Sequence, residues 1–262
     1  MPRFKFLFVG LCVSAIAAAG LTESAKLESC ATSFPTRFGS SSSPLVDLTA
    51  TISPSLVVFE SAFGLGEGHR VQSKSQLRGD DANVSELRFG AHTGTHVDAP
   101  RHFARGDNTG IEEIDLRHLN GPAFVVDAFG VVFLDRESLS HLEIPQDATI
   151  VLFRTDNTRR GIMNQTRFDK DYVGFSKDGA EYLLETFPNV KTVGIDYVSI
   201  AAYDHLVTAH VVLLEAGLVP VEGLSIPEHT VKPGWWMFHC APLKIAGSDG
   251  APARAWLEAM EF

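Results

Sequence analysis

An eleven-residue window, His92-Thr93-Gly94-Thr95-His96-Val97-Asp98-Ala99-Pro100-Arg101-His102, holds three of the chain's ten histidines together with an aspartate. Neutral imidazoles and a carboxylate suit Zn²⁺, Mn²⁺ or Fe²⁺ without selecting among them. A metal needs donor atoms about 2.1 Å from one centre, so the parent backbones must converge. In a regular strand His92 and Asp98 would lie about 20 Å apart, and Gly94 with the β-branched Thr93, Thr95 and Val97 disfavours a helix. The window is therefore expected as a tight turn or bent strand. Gly94 would let His92 and His96 approach, and Pro100 would turn His102 back toward them. The competing reading is a polar loop whose histidines make ordinary hydrogen bonds.

A second pair is compatible with the first in chemistry but distant in sequence. His210 falls on an expected helix over 204–216, closed by Gly217, and Glu222 ends the strand-like run 219–222. By themselves a helical His and a strand-end Glu are more often structural than metal-binding. Further strands are expected over 123–126, 149–153 and 192–195, and a helix over 176–187 with Ser176 as its N-cap and Pro188 as its stop. This order is neither a strict strand-helix repeat nor a ladder of hairpins. It predicts an α/β (mixed) domain with a curved mixed sheet or barrel-like core flanked by helices.

The first residues differ from the rest. Arg3 and Lys5 precede an apolar run ending near Ala18, too short for a transmembrane anchor, and Ala17 and Ala19 stand in the register of a signal-peptidase site. Residues 1–19 are read as a signal peptide, 20–44 as a flexible Ser/Thr/Gly-rich leader, and 45–262 as one domain in a secreted or extracellular protein. Loss of Cys12 would leave Cys30 and Cys240, which an oxidising compartment permits to pair or leaves as thiols. Asn83 and Asn164 begin glycosylation sequons. A net charge of −10 without a basic run argues against a nucleic-acid partner. No G-x-S-x-G nucleophile elbow, H-E-x-x-H zinc-protease helix or phosphate-binding glycine loop occurs, which removes those enzyme classes.

The window 92–102 resembles the hallmark of the cyclase-like metal-dependent hydrolases, which include bacterial kynurenine formamidases and isatin hydrolases. The resemblance extends over about 45–262, through Asp47-Leu48-Thr49, Val193-Gly194-Ile195-Asp196 with Ser199, Ala241-Pro242-Leu243-Lys244 and Asp249-Gly250-Ala251-Pro252-Ala253-Arg254. It implies a swivelling β/β/α fold, His92, His96 and Asp98 as metal ligands, and His102 as the acid/base beside the metal. His210 and Glu222 match the family's later ligand pair at the same twelve-residue separation. One or two ions, Zn or Mn foremost, are implied, together with a homodimer or homotetramer.

The activity so implied is hydrolysis of a small aryl amide or lactam, N-formylkynurenine or isatin in type. A signal-like leader is foreign to the cytoplasmic formamidases and puts substrate transfer in doubt. The alternative is a secreted binding or signalling protein that retains the fold without turnover. Aromatic candidates for lining the pocket are Phe59, Phe63, Phe103, Trp235 and Trp236, the two tryptophans being expected near the site beside Gly234.

Overall fold

The computed structural model describes residues 45–260. Its strands are β1 (Leu45–Asp47), β2 (Arg70–Lys74), β3 (Val84–Leu87), β4 (His96–Asp98), β5 (Asn120–Ala128), β6 (Ile150–Thr155), β7 (Thr192–Ile195), β8 (Val219–Glu222), β9 (Gly234–Pro242) and β10 (Gly250–Ala259). The α-helices are α1 (Leu116–Leu119), α2 (Arg136–Ser140), α3 (Asp156–Arg160), α4 (Lys177–Thr186) and α5 (Leu206–Glu215). Strands β2 and β3 form a separate exposed hairpin.

The main sheet runs β10-β4-β8-β7-β6-β5-β9, and β9 pairs again with β10, closing the sheet into a barrel-like ring with β1 added beside β10. Closure leaves few unpaired strand edges, the liability of an open sheet. Neighbours from β5 to β8 are parallel and the remainder antiparallel. Parallel neighbours require crossovers, which α2, α3 with α4, and α5 supply in turn. The fold is thus the mixed α/β domain with a curved, barrel-like sheet that the sequence predicts.

Alternation along one strand generates two cores. In β6, Ile150 and Leu152 point into the ring with Val97, Val125, Val221 and Phe238. Val151 and Phe153 point outward, to Phe175, Leu183, Ile195 and Leu213 under the helices. Because both faces of β6, β7 and β8 are covered, every residue in them is buried, as continuous apolar runs require.

The expected elements are found with adjusted ends. Strands 192–195 and 219–222 have the predicted bounds, while β5 extends beyond 123–126 at both ends and β6 starts one residue later than 149 and ends two residues after 153. Ser176 Oγ accepts from Gly179 N at 3.1 Å to cap α4. The 204–216 helix opens as a 3₁₀ turn, Tyr203–His205, before α5. Asn83 and Asn164 are exposed, and no helix among the described residues is long and apolar enough to cross a membrane. The signal and leader readings, and Cys30, lie outside the described residues. Cys240 is buried on β9, and burial pushes its thiol up to about 12.

Candidate metal centre

Short strand β4 presents His96 and Asp98 on one face, two residues apart. It is wedged between β8 and β10, with His96 opposite Glu222 and Asp98 opposite Gly250. Opposed residues on neighbouring strands carry side chains about 5 Å apart, so this register alone delivers Glu222 to His96. The turn before β4 is held by Thr95, whose hydroxyl donates to Gly223 O at 2.6 Å and accepts from Ala50 N at 2.8 Å. Gly223 has φ +68°, and a Cβ there would fall 2.3 Å from Gly94 O. The tight passage of these two backbones fixes the height of His96.

Three further elements complete the cluster. His210 projects from α5, its Nδ1 donating to Leu206 O at 2.6 Å, which leaves Nε2 directed at Glu222 Oε1 (3.2 Å) and Asp98 Oδ2 (3.6 Å). His96 Nδ1 likewise donates to Gly94 O at 2.9 Å, so its Nε2 faces Glu222 Oε2 (3.0 Å) and Asp98 Oδ1 (3.5 Å). His92 lies over Gly250, with Nδ1 2.8 Å from Asp98 Oδ1 and Nε2 2.9 Å from Asp249 Oδ2. The 3₁₀ turn Pro100–His102 returns His102, whose ring stacks on His92 at 3.9 Å and whose Nδ1 is 3.6 Å from Asp249 Oδ2. Fixing Nδ1 by a carbonyl is how proteins commonly orient a ligating imidazole.

The structure thus brings together all six candidates: His92, His96, Asp98, His102, His210 and Glu222. Their donor atoms form overlapping groups, His92/His96/Asp98 and Asp98/His210/Glu222, each within 4.8 Å, with Asp98 common to both. A third group, His92/His102/Asp249, adds a residue that sequence reasoning passed over. Asp249 opens the 249–254 segment that carries part of the family resemblance, but nothing in that segment assigns it to the site. Its role depends on a partner 157 positions away.

Electrostatics tie the group together. Burial disfavours charge on His92, but its contacts with Asp98 and Asp249 prevail and raise it to about 9. Burial likewise opposes charge on His96 and His210, yet Glu222 and Asp98 hold both above the ordinary histidine value. Burial would raise Glu222, but the two imidazoles hold it well below the usual carboxylate range. His102 differs: burial, with His92 and His210 adding to it, outweighs the carboxylates and lowers it, so its imidazole is neutral at pH 7.

Two buried atoms of the centre, His96 Nε2 and Asp98 Oδ2, make no well-directed hydrogen bond, although Glu222 Oε2 lies 3.0 Å from the first. Leaving such groups unsatisfied costs about 1–3 kcal/mol each, which counts against the polar-loop reading of the window. Nitrogen and carboxylate donors aimed at common points fit a divalent cation.

Beside this centre lies a cavity of about 220 Å³ lined by Phe59, Phe103, Val198, Ser199 and Leu206 together with His92, His102, His210 and Glu222. Phe103 stacks on His210 at 4.6 Å and meets His102 edge-on at 4.3 Å. Phe59 and Phe103 therefore line the pocket, but Phe63, Trp235 and Trp236 do not. Phe63 is 85% exposed. Trp235 packs edge-on against Phe124 with the outer core, and Trp236 Nε1 donates to Lys232 O. Contrary to the expectation for the pair beside Gly234, the tryptophans stand away from the site, because β9 pairs with β5 and β10 and not with β4 or β8.

Residues 46–202 match the Cyclase family, described as "Putative cyclase". The chain is similar to Cyclase-like protein 2 of Oryza sativa subsp. japonica, 41% identical over 217 residues that cover 81% of this chain and 78% of that one. It is also similar to Kynurenine formamidase of Salinibacter ruber, 32% identical over 218 residues, 81% of this chain and 96% of that one. Among solved structures, isatin hydrolase A from Labrenzia aggregata superimposes with a TM-score of 0.65 at 25% identity, covering 83% of this chain and 94% of that chain.

Proposed function

The chain belongs to the Cyclase family, and from that premise we propose that it is a metal-dependent hydrolase of a non-peptide C–N bond, acting on a linear or cyclic aryl amide. The observation that carries this reading is the convergence of five donor residues, two of them with poorly satisfied buried atoms, beside His102 and an aromatic-walled cavity. The names of the formamidase and isatin hydrolase relatives point the same way.

His92, His96, Asp98, His210 and Glu222 would hold the metal, Zn or Mn, as one ion or two. When bound, a divalent ion lowers the pKa of water toward about 7 and polarises a carbonyl. The chain supplies the rest. His102, with Nδ1 turned toward Asp249, has Nε2 left to accept a proton from the attacking water and to return it to the departing nitrogen. A C–O bond forms, the C–N bond breaks, and the products are an acid and an amine, joined in one molecule when the substrate is a lactam. Asp249 positions the stacked His92 and His102 rings. Phe59, Phe103 and Leu206 shield the reacting bond from bulk water.

The test is an amide screen of the metal-loaded protein with N-formylkynurenine, simple formanilides and isatin, before and after chelation. Turnover that disappears with chelator and returns with metal is expected. Full metal occupancy with no turnover of any aryl amide, lactam or ester would contradict it and favour a binding role. Secretion is part of the same proposal. Mature protein collected outside the cell should begin after Ala19 on N-terminal sequencing, and retention of residues 1–19 would count against export by a cleaved signal.

A further inference from the structure

Resting on the hydrolase reading, we propose that the pocket selects a compact, uncharged acyl substrate and discriminates against one that carries an α-amino-acid head group. Size is the first observation. At about 220 Å³ the cavity falls below the roughly 300–1,000 Å³ typical of pockets for drug-sized ligands, so it suits a single or fused small ring with little appended to it.

Charge is the second. Beyond the histidines and Glu222 of the metal centre, the lining residues are Phe59, Phe103, Val198, Leu206 and Ser199. No lysine or arginine is among them. The Ser199 hydroxyl already donates to Ala201 O at 3.0 Å. A substrate carboxylate held away from the metal would lose its hydration against Phe59, Phe103, Val198 and Leu206 and meet no lysine or arginine among the described lining residues, and an ionised group buried without a partner is strongly disfavoured.

The adjoining cleft does not supply what the pocket lacks. Its Tyr203 stacks on Phe59 of the pocket with ring centroids 6.2 Å apart, and it contains Arg167 and Lys170. Those two cations share it with Glu60, Asp169 and Asp171, so a carboxylate would meet no net positive field there. An aromatic ring with a neutral substituent, by contrast, matches the walls of Phe59 and Phe103 in both shape and polarity.

A matched pair isolates the effect. N-Formylkynurenine and N-(2-acetylphenyl)formamide present the same aryl formamide and the same ortho ketone, and differ in the zwitterionic tail. With metal-loaded protein, kcat/KM for the neutral compound is expected to exceed that for N-formylkynurenine by roughly 100-fold or more. Isatin, a neutral fused-ring lactam, is included as a third substrate. Equal or better turnover of N-formylkynurenine would overturn the selection while leaving the hydrolase reading intact. Absence of turnover with all three would remove the selection, and the hydrolase reading falls with it when the wider screen of aryl amides, lactams and esters is also blank.

Discussion

His102 and Asp249 divide the labour of the site differently from the five donor residues, and substitution should separate them. His102→Ala is expected to lower kcat by about 10²–10⁴-fold with metal content unchanged, as measured by steady-state kinetics alongside elemental analysis. Loss of metal in that variant would make His102 a ligand and not a proton carrier. Asp249→Asn keeps the shape but removes the charge that faces His92 Nε2 and His102 Nδ1. Activity or metal affinity about 10–100-fold lower is expected, and wild-type behaviour in both would strip Asp249 of its positioning role. His92, His96, Asp98 and His102 declared themselves by density in one window. Asp249 was visible only as part of the 249–254 resemblance and not as a site residue, because its partner is brought to it only by the pairing of β10 with β4.

The element that governs the site is β4, three residues held between β8 and β10. Its seating depends on Gly223, where an added Cβ would fall 2.3 Å from Gly94 O, a backbone atom that cannot swing aside. Gly223→Ala is therefore expected to destabilise the fold by about 2–4 kcal/mol and to weaken metal binding, read by thermal melting and metal titration. An unchanged melting temperature would show that the passage can relax. Strands β7 and β8 were legible as short, mostly apolar, β-branched runs between turn residues, Thr192–Ile195 and Val219–Glu222. Strands β9 and β10 were not: Gly234–Pro242 has an irregular burial pattern, and β10 carries Pro252 within it. Without β9 in the barrel, the neighbourhood of Trp235 and Trp236 could not be inferred. The match of His210 to Glu222 was visible as a twelve-residue spacing, but only α5 folding back over β8 makes that spacing a contact.

At the scale of the whole molecule, protons and metal compete for one set of buried groups. His92 has a folded value of about 9 against an ordinary 6.5, and His96 and His210 are raised as well. In metal-free protein their stabilising charge is fully present below about pH 6.5 and is lost as pH rises through the folded values. The melting temperature of the chelated protein should therefore fall by roughly 5 °C between pH 6.5 and 9.5. The metal-loaded protein should behave oppositely and lose its added stability on acidification, as imidazoles take up protons. Parallel pH profiles of the two forms would refute this coupling. Light scattering of the metal-loaded protein tests the expected homodimer or homotetramer. The most direct check on the central claim is the divalent metal content of the purified mature chain, measured by elemental analysis beside a His96→Ala variant. At least one equivalent of Zn or Mn per chain, lost in the variant while the fold persists, is the expected result. A wild-type chain that stays metal-free after incubation with either ion would contradict the account.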